Sequence, residues 1–260
     1  MSSAKVLVVL EGEQPEGNIL SRLQKAFPEE LADLSSDLVK IVFSSNIYSL
    51  YAKLKDEKGF LDVVEILKEL HAEDAELQDL DRESVSQVYL FFDLDIHKQP
   101  VDSACNQLNE LLNFFNNETE NGKLFLSYPM VEAVNICDLS KGLMSDDRRL
   151  FKVCDCENNG FKHFVDDLNR GSKTVCRANC RDNWLIICRA NYEKAQWLMD
   201  LPTGTVSANL GRMEQPAILH HQQVLIKNEG DVATLSAFPF FLLEYLGAET
   251  IGGMIFGESN

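Results

Sequence analysis

The sequence predicts an α/β protein: a mostly parallel sheet flanked by helices, followed by a mainly helical C-terminal half. Three observations carry this expectation. Val6–Leu10 and Val88–Phe92 are unbroken runs of β-branched, aliphatic and aromatic residues, the pattern of strands buried on both faces. Segments with apolar residues at helical spacing separate such runs, which argues for parallel strands joined by helical crossovers. From Ser140 onward helical periodicity dominates.

Taken in order, Val6–Leu10 is the first strand and ends at Glu11-Gly12. Glu16–Phe27 carries Ile19, Leu20, Leu23 and Phe27 at helical spacing. Leu38–Phe43 reads as a second strand, with helices over Tyr48–Leu54 and Phe60–Leu70. The acidic stretch Glu73–Glu83 reads as a solvated helix or loop. Val88–Phe92 is the third strand, ending in Asp93-Leu94-Asp95, and Cys105–Phe115 is an amphipathic helix. Lys123–Tyr128 is the fourth strand, after which Pro129 is expected to open a helix reaching about Leu139. Proline suits a first helical position because its missing N–H would be unpaired there anyway. Beyond lie expected helices at Phe161–Leu168, Asn183–Met199, Glu214–Asn228 and Pro239–Leu246, with a last strand near Val232–Leu235. The domain division is residues 1–139 as the α/β unit and 140–260 as a mainly helical region, separate or a layer on the same sheet.

The chain has 260 residues, 45% of them hydrophobic and 25% charged, an ordinary globular balance. Its formal net charge of −17 repels nucleic acid at long range, so a nucleic-acid function requires a local basic patch, a metal or a basic partner. No apolar run approaches the roughly 20 residues of a membrane span, and no membrane role is expected. The N-terminal apolar run is short and ends on acids, unlike a secretory signal. Seven cysteines without the density of a disulfide framework fit a reducing cytoplasm.

Open α/β sheets bind ligands at the carboxyl ends of their strands. Here Glu11 ends the first strand and Asp93 and Asp95 end the third. In extended backbone, residues two apart point to the same side, so Asp93 and Asp95 can share one ion. A hard divalent cation such as magnesium, or manganese, suits carboxylates that also meet substrate phosphates. Without a cation such acids would raise one another's pKa.

A buried strand ending in Glu-Gly, followed by another ending in Asp-x-Asp, resembles the Toprim fold of topoisomerases, bacterial primases and OLD-family nucleases. The segment after Gly12, EQPEGNIL, is similar to the start of RloB-like proteins, which puts Glu16 at a second acid of their motif. LSYPMVEAV resembles a further RloB-like stretch and makes Glu132 a candidate metal ligand. The sequence departs from that pattern at Glu13-Gln14-Pro15, Tyr128 and Val131. The resemblance spans Lys5–Leu139 and implies a Toprim-like (Rossmann-like) fold, in which Asp93 and Asp95 hold magnesium and Glu11 is the general base or acid or completes a second metal site. It implies a magnesium-dependent nuclease acting on DNA, RNA or tRNA, an antiviral-defence effector working as a homo-oligomer or with a partner ATPase. The alternative is a non-catalytic sensor or interaction module serving such a partner.

His97, just past the acids, could contact phosphate, although an ordinary loop histidine is the preferred reading. Cys154, Cys156, Cys176 and Cys180 could supply four thiolates to a structural zinc, but the first pair is tightly spaced and reduced cysteines are preferred. Cys105, Cys137 and Cys188 read as small core residues. The most basic region, with Arg148-Arg149, Arg177, Arg181 and Arg189, is a candidate phosphate-binding surface; Trp184 and Tyr192 nearby read as core.

Overall fold

The computed structural model describes residues 4–56, 59–96, 100–137, 139, 150–169, 178, 180–202 and 206–257. The N-terminal part runs β1 (Lys5–Leu10), α1 (Gln14–Ala26), α2 (Ala32–Ser36), β2 (Leu38–Val42), α3 (Ile47–Leu54), β3 (Lys55–Asp56), β4 (Gly59–Phe60), α4 (Val63–Leu70) and α5 (Ala75–Gln78). It continues with β5 (Val85–Asp93), α6 (Val101–Phe114), β6 (Asn116–Asn117) and β7 (Gly122–Ser127). After these come β8 (Leu150–Lys152), α7 (Gly160–Asn169) and helices Arg181–Leu198 and Gln215–Glu229, then β9 (Asp231–Ala233) and helices Ala237–Leu246 and Ala248–Phe256.

Five strands form the main sheet in the order β2-β1-β5-β7-β6. The first four are parallel and only the two-residue β6 runs antiparallel. β1 and β5 sit at the centre, and β1 from Val6 onward is buried, as its unbroken apolar run requires. β1 crosses through α1 to β2 on one side, whereas β5 lies on the other side of β1 and leads through α6 to β7. The strand order therefore reverses between β1 and β5. Right-handed crossovers in opposite directions put α1 and α6 on opposite faces of the sheet.

The C-terminal half packs onto this sheet. Phe238 stacks on Phe91 with ring centroids 4.9 Å apart, and Phe241 meets Tyr89, Phe91 and Phe125 edge-on. One continuous apolar core runs from Val6 to Ile251. The open edge of β7 is closed by this half. The Leu126 N–H donates to Gln215 Oε1 at 3.1 Å, and Tyr128 pairs with Leu235 through two backbone bonds. Such capping protects an edge that would otherwise template further pairing. Buried polar groups tie the C-terminal helices to the strand that follows them: Gln222 brackets the backbone of Ala233, and Lys194 donates to the Thr234 carbonyl at 2.7 Å.

Several elements differ from the sequence reading. Pro129 opens no helix: the Tyr128–Pro129 peptide is cis, Met130 is extended, and a short 3-10 turn begins only at Val131 and ends at Asn135. The pairing of Tyr128 with Leu235 holds the chain extended where a helix was expected to start. The last strand pairs antiparallel with β8 as a separate two-stranded sheet. The helix Ala248–Phe256 was not anticipated. Trp184, Tyr192, Cys105, Cys137 and Cys188 are all buried, as core residues should be. Among the described residues, no helix is long and apolar enough to cross a membrane.

Candidate metal centre

The strand ends deliver acids to the point where the strand order reverses. Glu11 continues the β1 ladder, donating its N–H to the Phe91 carbonyl and accepting from the Ser44 N–H, both at 3.0 Å. Its side chain then crosses to the neighbouring strand, where Glu11 Oε2 accepts the Asp93 N–H at 2.9 Å. Gly12 follows. A Cβ there would stand 3.1 Å from Glu16 Oε2, so glycine leaves room for the Glu16 carboxylate to fold back beneath the turn. Pro15 and Glu16 lie in the first turn of α1, where a fixed φ and a negative charge both suit a helix start.

Asp93 closes β5 in register with Ser127, and the Leu94 N–H donates to the Ser127 carbonyl at 2.9 Å. Beyond it the backbone leaves strand geometry, for Asp95 has φ +46° in the left-handed region and is buried. The expectation that Asp93 and Asp95 share a direction by strand alternation is thus corrected. They approach through a turn, which aspartate tolerates better than most non-glycine residues. Tyr48, from α3, donates its hydroxyl to the Leu94 carbonyl at 2.7 Å and braces this turn. Glu132 lies buried in the 3-10 turn after β7, and Lys162 Nζ of α7 stands 4.0 Å from its Oε1.

These acids act on one another. Burial pushes the Asp93 carboxyl well above the usual range, and the charges of Glu11, Glu16, Asp95 and Glu132 push it further. Glu16 is raised to about 7, again chiefly by burial, with Glu132 adding to the effect and the Glu16 and Gly12 backbone opposing it. Glu16 Oε2 is buried without a hydrogen-bond partner. Cys156 is buried nearby. Its thiol is raised to about 12 by burial first and by the charge of Asp95 next.

Glu11, Glu16, Asp95 and Glu132 thus all stand close enough to Asp93 at this end of the sheet for their charges to raise it. Among the described residues, no three His, Cys, Asp or Glu side chains are already drawn together as a metal-holding group. The donor set nevertheless fits a hard divalent cation. Its donors are carboxylate oxygens, and one of them is buried with no proton to accept.

Other candidates are placed differently. Arg181 pairs with Glu30 at 2.7 Å and lies over the Phe27 ring, while Arg189 pairs with Glu193 at 2.8 Å and lies over Phe256. Both arginines make ion pairs within the chain while their side chains remain partly exposed. His97, Arg148, Arg149, Cys176 and Arg177 lie outside the described residues. Of the remaining cysteines in the proposed zinc quartet, Cys154 and Cys180 are exposed and Cys156 is buried. Tyr48 and Lys162 were not anticipated as neighbours of the acids, since neither stands in a motif.

No family model, no curated protein and no solved structure matches the chain.

Proposed function

We propose that the chain is a Toprim-like, magnesium- or manganese-dependent nuclease that hydrolyses phosphodiester bonds in DNA or RNA, acting as a defence effector. The reading rests on one observation: Glu11, Glu16, Asp93, Asp95 and Glu132 converge where the strand order reverses between β1 and β5, the crevice in which open α/β sheets bind ligands. Asp93, Asp95 and Glu132 would hold the cation, which supplies positive charge against the phosphate oxygens. Glu11 is held in one orientation by the Asp93 N–H, as a general base or acid must be. Tyr48 and the Ser127 carbonyl fix the turn that carries Asp95. Purified protein incubated with labelled DNA, RNA and tRNA in magnesium or manganese tests the reading. Cleavage that disappears in Asp93→Ala supports it, and equal cleavage by that variant sinks it.

A second reading has its own support. With a net charge of −17 and with Arg181 and Arg189 engaged in ion pairs, the fold also suits a non-catalytic module that works through a partner protein such as an ATPase. A protein that neither cleaves nor binds nucleic acid, yet co-purifies with such a partner, would favour this alternative.

A further inference from the structure

The ion pairs on the Arg181–Leu198 helix leave open which cations a phosphate backbone would meet. The outward face of α1 offers an answer. Asn18, Ser21, Arg22 and Lys25 recur at helical spacing there and line a cavity of about 190 Å³. Asn18, Ser21 and Lys25 are exposed and Arg22 is half-buried. Lys40, exposed on β2, reaches across to the same helix. A Cβ added at Gly17 would stand 3.4 Å from Lys40 Nζ and 4.0 Å from Leu10 Cδ1. The Lys40 ammonium therefore lies beside the end of β1, one residue before Glu11.

Elsewhere the cations are largely spent on neighbouring acids: Lys55 on Glu110, Arg82 on Asp62, Lys123 on Glu244, Lys152 on Asp231 and Lys227 on Asp102. Among the described residues, Lys25 and Lys40 make no ion pair; nor do Lys5, Lys53 and Arg212, which do not line that cavity. An acidic chain that handles a polyanion needs such uncommitted cations close to its site, because phosphate neutralisation by Lys and Arg supplies most of the affinity.

We propose that Arg22, Lys25 and Lys40, with Asn18 and Ser21 as neutral donors, form the surface that holds the phosphodiester backbone of a nucleic acid and leads it along α1 toward Glu11. This rests on the nuclease reading for its substrate but is tested by binding alone. The measurement is fluorescence anisotropy of a labelled 20-nucleotide single strand against salt concentration, in chelator and again in calcium. The proteins are the full chain, a triple variant Arg22→Gln/Lys25→Gln/Lys40→Gln, and Asn18→Lys. Each phosphate contact contributes about 0.7 to the slope of log K against log salt on a single strand. The triple variant should lower that slope by roughly 2, and Asn18→Lys should raise it by roughly 0.7. Thermal melting of each variant checks that the fold persists.

An unchanged slope in the triple variant would mean a solvated helix face only, and would overturn the proposal even if the wild-type chain cleaves in magnesium. A reduced slope without metal-dependent cleavage would keep the surface and overturn the nuclease reading. Failure of the wild-type chain to bind in both chelator and calcium at low salt would overturn the surface outright.

Discussion

The Asp93 N–H donates to Glu11 Oε2 at 2.9 Å, so the side chain ending one central strand satisfies the backbone ending its neighbour. This bond joins β1 and β5 where the strand order reverses, and it brings two carboxylates together against their own repulsion. Removing the acceptor leaves a part-buried N–H unpaired. Glu11→Ala should therefore cost about 1–3 kcal/mol of stability, whereas Glu11→Gln keeps an acceptor and should cost less. Both substitutions should reduce any cleavage to background. Urea unfolding of the two variants separates the structural effect from the chemical one.

Asp93→Asn makes the opposite trade. The native fold holds Asp93 where its ionised form is disfavoured by burial and by four neighbouring acids. Replacing it with a neutral isostere should stabilise the protein in chelator by about 1–2 kcal/mol and raise Tm by a few degrees. Cleavage and divalent-cation binding should fall together. A melting series with and without magnesium reads both effects: the wild-type chain should gain Tm from the cation and the variant should gain much less. A variant less stable than wild type in chelator would contradict the account of the cluster as mutually repelling.

The pH dependence follows with a definite sign. Glu16 is raised from 4.5 to about 7, so between these values the native state binds more protons than the unfolded chain. Its contribution to stability is complete below about 4.5 and is lost as pH rises through 7. The loss amounts to about 3 kcal/mol from this group. Asp93, raised for the same first cause, steepens the decline in the same direction. Denaturation in chelator between pH 4.5 and 8 should show falling stability, and Glu16→Gln should flatten it. Magnesium should also flatten it, because a cation replaces the protons the cluster takes up.

β1 and the Val88–Phe92 part of β5 are legible because each is an unbroken apolar run that only a doubly covered sheet can bury, whereas β2 is interrupted by the exposed Lys40 and shows itself through its flanking β-branched residues. Glu11, Asp93 and Asp95 are legible for a related reason: a charge interrupts such a run and so marks where the strand ends. Glu16 and Glu132 came from motif resemblance, since neither periodicity nor burial pattern distinguishes them from a solvated acid. Long-range pairing was not legible. β8 has only three residues, and its partner lies about 80 positions away. The same blindness misplaced the helix at Pro129, where Tyr128 is held by Leu235 from the far end of the chain. The left-handed turn at Asp95 and the Tyr48 bond behind it are also tertiary, as nothing local to Leu94 demands either.

The junction of the two halves gives the last prediction. Phe241 of helix Ala237–Leu246 is fully buried against Tyr89, Phe91 and Phe125, which lie on the neighbouring strands β5 and β7. Phe238 stacks on Phe91 from the same helix, with an interplanar angle of 13°. The apolar face of β5 and β7 is thus covered by residues more than a hundred positions downstream. Neither half buries that face alone, so the chain should unfold in one transition even though its secondary structure changes character after Leu139. Trp184 and Trp197 lie in the C-terminal half and report on it by fluorescence, while circular dichroism follows the whole chain. The two probes should give coincident curves in guanidinium. Phe241→Ala opens a cavity between sheet and helix and should cost about 3–5 kcal/mol, shifting both curves together. Separate midpoints, with the N-terminal part persisting after the tryptophan signal is lost, would show that residues 1–139 fold alone and that the C-terminal helices are an appendage.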